Sequence, residues 1–286
     1  MAVVWETTGG RLARRTFATM REPTLIASAV VAGGLTLLAV VGPWIAPYDP
    51  DATDVLAASQ GPSGQHLLGT DSLGRDILSR ALVGARLSFA GPAMIVLISA
   101  VLGTALAIFS AWHGGWIDRM VNRSLNVMFS VPGILVAMLA SAVFGAGFWA
   151  PVLALGVVYT PYMARVVRSI AVRERHRGYV ESLQLAGMSS WRICLRHIGP
   201  NVMPIVVAQG TYGFGTALAD FAAVSFLGLG IQPPQAEWGV MVSEGRNELL
   251  DGALQQSLTA GTLIVVTVVA FNVLGAQLSS RAGGRR

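Results

Sequence analysis

An all-α membrane protein with six transmembrane helices is the fold this sequence predicts, and three observations predict it. Hydrophobic residues make up 53% of the 286 residues and charged residues only 12%, with a mean hydropathy of +0.59. A soluble domain carries about 25% charged residues, so the balance favours lipid over water as the surrounding solvent. Runs free of ionised side chains recur along the chain, at lengths that suit a bilayer needing roughly 20 apolar residues per helix. Arginines gather beside alternate ends of those runs, as the positive-inside rule expects of a multi-pass protein.

The first run, residues 24–46, follows Arg11, Arg14, Arg15 and Arg21. It is too long for the apolar region of a signal peptide and no small-residue cleavage site follows. It therefore reads as a retained anchor behind a cytoplasmic segment, residues 1–23. Residues 47–69, PYDPDATDVLAASQGPSGQHLLG, are rich in Pro, Gly, Ser and Asp and read as an irregular loop. DSLGRDILSRALVGAR then sets Leu73, Ile77, Leu78, Leu82 and Ala85 at helical spacing, opposite Arg75, Asp76, Ser79 and Arg80. Two readings fit: a short amphipathic helix at the outer interface, completing an extracytoplasmic segment 47–86, or an N-terminal extension of the second span.

Residues 87–112 contain no ionised side chain and supply that second span. Nothing is charged between Arg123 and Arg165, which is long enough for two spans, with the turn expected at GAGFW, residues 145–149. Residues 201–231 give a fifth span, interrupted by Asp220 and stopped by Pro233-Pro234. The uncharged residues 252–280 give the sixth. Five helices thus form a core over 87–280, followed by a short cytoplasmic tail, 281–286.

With the N-terminus inside, sixteen arginines fall in inner segments and only Arg75, Arg80, Arg86 and Arg246 in outer ones. Both termini are then cytoplasmic. Acids lean the other way, with Asp49, Asp51, Asp54, Asp71, Asp76, Glu237, Glu244, Glu248 and Asp251 outside. The formal charge of +5 sits beside apolar runs, so the basic balance points to membrane lipid and not to nucleic acid.

The chain carries no lysine, so the loop G-x-x-x-x-G-K-[ST] cannot be built and nucleotide hydrolysis by that route is excluded. His66, His113, His176 and His197 are scattered, and Cys194 is the single cysteine. No metal-ligand spacing results and no disulfide can form within the chain. No G-x-S-x-G elbow appears. GTYGFG, residues 210–215, lies inside a span, where its glycines suit close helix approach. No catalytic set assembles, and a non-catalytic chain without a bound cofactor is expected. Asp220 is the acid left inside a span. It either lines a translocation path, where it could meet a cationic group, or makes a structural hydrogen bond to a neighbouring helix or subunit.

The most unusual stretch is GYVESLQLAGMSSWRICLRHIGP, residues 178–200, on the arginine-rich side. Gly187 breaks its helical pattern, and Ser189 or Ser190 can cap a second helix over residues 191–198, ended by Gly199-Pro200. Two short helices on a glycine turn would make a knob, with Trp191 and Ile193 as apolar anchors and Glu181, Arg192 and Arg196 as charged ones. From composition alone an ordinary inter-span loop on the membrane surface fits equally.

E-S-L-x-x-x-G, with Glu181 and Gly187 six apart and Pro200 downstream, resembles the EAA loop of permease subunits of binding-protein-dependent ABC importers. HLLGTDSLGRDILSRALVGARLS at 66–88, SFLGLGIQPPQAEWG at 225–239 and YMARVVRSIAVRERHRGYV before the loop resemble the C-type permease of dipeptide/oligopeptide importers. The likeness runs from about residue 20 to about residue 280, with its motifs in the family's order. Ser182 and Leu183 stand where the family has two alanines, and Leu183 is bulkier.

The resemblance implies a type I importer fold and half of a translocation pathway for peptides or similar cargo across the cytoplasmic membrane. It implies a second, homologous permease and two ATPase subunits that use ATP and Mg. It also implies an extracytoplasmic substrate-binding protein. Tyr179, Glu181, Ser182, Leu183, Gly187, Trp191, Arg192 and Pro200 would couple to the ATPases. The outer segment with Glu237, Trp238, Glu244 and Glu248 is expected to receive the binding protein. A self-sufficient secondary transporter or channel is the alternative class.

Overall fold

The computed structural model describes residues 21–250 and 252–284. Arg11, Arg14, Arg15, Asp251, Arg285 and Arg286, and with them most of segment 1–23, lie outside the described residues. In chain order the main helices are α1 (Arg21–Ile45), α2 (Ile77–His113), α3 (Gly115–Phe129), α4 (Gly133–Phe144) and α5 (Trp149–Arg175). After them come α6 (Gly178–Leu185), α7 (Ser190–Ile193), α8 (Gly199–Phe226), α9 (Trp238–Glu244), α10 (Arg246–Leu250) and α11 (Gln255–Gly284). Among the described residues five helical stretches are long and apolar enough to cross a membrane, and the α3–α4 pair passes the same test as one broken span. The all-α expectation is met, with five spans, or the expected six where the bent α3–α4 pair counts as one, and the turn between that pair and the next span falls at residues 145–148.

Four boundaries differ from expectation, each for a local reason. The second span starts ten residues early: α2 runs unbroken from Ile77, where the Asp76 carboxylate accepts from the Ser79 N–H at 2.8 Å as an N-cap. Of the two readings this is the N-terminal extension of the span and not a separate interfacial helix, and its start is buried on both sides, Ile77 and Ala85 included. Its polar residues Asp76, Ser79 and Arg80 are buried while Leu73, just ahead of it, is exposed.

The third span is not straight, because Pro132-Gly133 breaks it into α3 and α4, bent by 78°.

The fifth span ends at Phe226, well ahead of the prolines. Gly228 takes φ +76°, while Leu229 N–H donates to Val224 O and Gly228 N–H to Ser225 O. That paired bonding is a Schellman cap, which needs the left-handed residue that glycine supplies.

Gly199-Pro200 ends nothing. From Ser190 to Phe226 the helix is continuous, because one π-helical turn, Cys194–Ile198, precedes Pro200. A proline ring collides with the carbonyl four residues back in a regular α-helix. The widened turn is a common way to accommodate such a residue.

Packing centres on α2 and α5. Gly103 on α2 and Gly156 on α5 let the two backbones approach. A Cβ at either would lie within 2.9 Å of Met163 or Ile98, respectively. At the arginine-rich end Val167, Ala171, Val180, Ile193 and Ile198 form one apolar cluster. At the opposite end Ile77, Phe89, Phe214, Trp238 and Met241 form another, and Ile95, Leu155, Phe221 and Val240 a third between α2, α5, α8 and α9.

Candidate functional site

Three places gather the residues singled out in the sequence. The first is the knob at the arginine-rich end. Helix α6 closes in a second Schellman cap, with Gly187 at φ +76°, Gly187 N–H donating to Gln184 O and Met188 N–H to Leu183 O. Two helices joined at a glycine are therefore present, but the second is the start of the fifth span and not a free-standing piece.

The knob's side chains divide into two sets. Leu185 is 91% exposed and Trp191 73%, and Glu181, Ser182, Arg192 and Pro200 are exposed beside them. Ile193, expected as an outward anchor, is instead 0% exposed, as is Val180. Both are locked in the apolar cluster that ties the knob to α5 and α2. Leu183 packs against the same cluster, so the bulk that departs from the family pattern is turned largely inward.

A polar node holds the knob to its neighbours. The buried Glu174 carboxylate accepts from the Tyr179 hydroxyl and from Asn201 Nδ2, both at 3.2 Å, and pairs with Arg177 at 3.2 Å. Asn201 also donates to the Tyr179 hydroxyl at 3.1 Å. Sequence reasoning found Tyr179 but missed Glu174 and Asn201. The available signal was Glu174 as the lone acid in the basic run 165–177.

The second place is the opposite end, where the expected docking residues sit. Glu237 is buried, caps α9 by accepting from Val240 N–H at 3.0 Å, and accepts from the Ser88 hydroxyl at 3.0 Å. Burial pushes its carboxyl above the ordinary range, opposed by the N–H groups of Gly239 and Val240. Trp238 is also buried, its indole N–H donating to Ala81 O at 3.0 Å. Glu248 is 6% exposed and accepts from Ser72 N–H at 2.6 Å.

Glu244 bridges two buried arginines, accepting from Arg75 at 3.0 Å and Arg80 at 2.8 Å. Asp71 accepts from Arg75 at 2.6 Å, and Arg80 also donates to the carbonyls of Pro50 and Pro234. Burial lowers the Arg75 pKa, but Glu244 and Asp71 outweigh that and raise it. Glu237, Trp238, Glu244 and Glu248, expected to receive a binding protein, thus all make internal contacts. Glu244 and Glu248 tie the segment before α2, and the first turn of α2, to α9 and α10, because a buried charge persists only where it is paired.

The third place is a cavity of about 400 Å³ beside the break between α3 and α4. Tyr159 from α5, and Tyr212, Thr216 and Asp220 from one stripe of α8, line it. The Tyr159 hydroxyl donates to Asp220 Oδ2 at 2.9 Å. Among the described residues no group of three or more His, Cys, Asp or Glu is placed to hold a metal ion.

Residues 103–282 match the family described as binding-protein-dependent transport system inner membrane component, and residues 11–62 match the N-terminal transmembrane domain of oligopeptide transport permease C. The chain is 40% identical over 242 residues to the glutathione transport system permease protein GsiD of Escherichia coli O157:H7, spanning 84% of this chain and 80% of that one. It is 34% identical over 269 residues to the probable D,D-dipeptide transport system permease protein DdpC of Escherichia coli strain K12, spanning 93% and 90%.

Proposed function

Because this chain belongs to the family of binding-protein-dependent transport system inner membrane components, as a multi-pass permease of an ABC importer, we propose that it forms half of a path for small peptides. The peptide class follows from the relatives, whose names specify glutathione and D,D-dipeptides. A second, homologous permease supplies the other half. An extracytoplasmic binding protein delivers cargo, and two ATPase subunits consume ATP with Mg.

In this reading both termini are cytoplasmic and the arginine-rich end faces the ATPases. Pairing of Arg75 and Arg80 with carboxylates supports that orientation, since it leaves only Arg86 and Arg246 as exposed cations among the outer four. The single observation that carries the coupling role is the continuity of knob and span. Leu185, Trp191 and Glu181 are presented outward, while the arm bearing Trp191 runs without interruption into α8. Closure of the ATPases would pull this rigid lever and rock α8 between inward- and outward-facing arrangements. On the outer side the binding protein meets exposed side chains such as Val55 and Leu56, not the buried acids.

Affinity purification of the tagged, mildly solubilised chain from cells expressing the whole system tests this. A second permease and ATPase subunits should be recovered with it. Well-folded protein that reproducibly emerges alone would overturn the reading in favour of self-sufficient transport.

A further inference from the structure

The cavity beside the broken third span has a composition that selects one kind of ligand. Three of the chain's five tyrosines, Tyr159, Tyr162 and Tyr212, line it together with Asp220, and no arginine or histidine does. Tyr212, Thr216 and Asp220 follow one another at four-residue intervals, so they form a single stripe on α8. Thr216 is exposed, Asp220 is half-buried, and the recorded partner of its carboxylate is the Tyr159 hydroxyl alone. No cation of this chain pairs with it among the described residues.

Two independent features argue that this face meets water and not lipid. A carboxylate within a span is costly unless it faces protein or a hydrated path. The backbone break at Ser130–Pro132, which forms part of the lining, interrupts the hydrogen-bond ladder. Irregular backbone at membrane depth is tolerated only inside protein or beside a water-filled cavity. Break and acid coincide at one cavity, as they do where discontinuous helices build a transport site.

We propose that Asp220, oriented by Tyr159 and flanked by the rings of Tyr162 and Tyr212, is a subsite for a cationic ammonium group of the cargo, such as the amino terminus of a peptide. A carboxylate attracts the charge and aromatic faces attract the same cation through their quadrupoles. The cavity's volume, about 400 Å³, lies within the range of small-ligand sites. This assignment rests on the importer reading, whose path the cavity would line.

The test places a cysteine beside the acid. Cys194, the single native cysteine, is buried, so the unmodified chain sets the background. In membrane vesicles carrying the whole complex, Thr216→Cys is labelled with trimethylammonioethyl and with sulfonatoethyl methanethiosulfonate. With each rate divided by that reagent's rate on a free thiol in solution, the cationic reagent should be favoured roughly tenfold, the scale on which charged clefts concentrate counter-ions. Asp220→Asn in the same background should abolish that preference, and Asp220→Glu should keep it if the asparagine variant fails to accumulate. A position unreachable by either reagent, or a preference that survives loss of the charge, overturns the proposal. Binding-protein-stimulated ATP hydrolysis is followed in the same vesicles. Hydrolysis without the preference refutes the subsite and leaves the importer reading intact, whereas a missing ATPase refutes that reading while the labelling ratio still reports on the acid.

Discussion

Gly187→Leu is expected to uncouple the transporter while leaving it inserted and assembled. Gly187 sits at φ +76° and a Cβ there would touch nothing within 4 Å, so the penalty is one of backbone conformation and not of crowding. A left-handed conformation costs an ordinary L-residue about 1–2 kcal/mol. That cost lowers the population of the correctly turned knob roughly 5- to 30-fold. ATP-driven uptake in proteoliposomes should fall accordingly, with ATP hydrolysis falling less. Gly187→Asn, which visits the left-handed region more readily, should retain more uptake than leucine. Wild-type uptake by both variants would mean that the turn's conformation does not matter to coupling. Glu181→Lys, which inverts the exposed charge on the same knob, should impair uptake in the same direction.

The second large effect concerns stability at the opposite end. Glu244→Leu removes the carboxylate that Arg75 and Arg80 share, leaving Arg75 to Asp71 and Arg80 to Asp71 and the more exposed Asp51. Breaking a buried ion pair from one side costs about 3–5 kcal/mol, far more than an exposed pair at roughly 0–1 kcal/mol. The detergent-solubilised variant should therefore unfold at a clearly lower temperature. Charge reversal at Glu237 or Glu248 would also act through folding, because both carboxylates are interior. A Glu244→Leu protein that kept wild-type thermal stability but lost docking of a binding protein would restore the surface role that burial argues against.

Much of this architecture was legible in the sequence because charge is scarce. Runs between arginines mark the spans, and Gly187 announces a turn in an otherwise helical pattern. Other features were not legible because they depend on tertiary partners. Arg75, Asp76, Ser79 and Arg80 read as a solvent face. Glu244, 164 residues beyond Arg80 and bonded to it, makes that face interior. Gly199-Pro200 reads as a stop, and only the π-helical turn before it lets the helix continue. In the third span, Pro132-Gly133 was a visible break signal within a charge-free run, yet charge alone gives a straight helix there. The residues expected to couple were recoverable by pattern, whereas the node that anchors Tyr179 joins Glu174 on α5 to Asn201 on α8, far apart in sequence and outside any motif. Asp220 stood out as an acid in a span, but the tyrosines around it come from two helices and carry no sequence mark of their own.

The measurement that bears most directly on the central claim is site-directed cross-linking at the tip of the knob. Leu185→Cys places a thiol at a position that is 91% exposed, and the buried Cys194 does not compete. In the assembled complex this thiol should cross-link to an ATPase subunit, with a yield that differs between nucleotide-free and ATP-bound states. Cross-links to an extracytoplasmic protein, or none to the ATPases of a complex that hydrolyses ATP, would contradict the assignment of this knob as the coupling element.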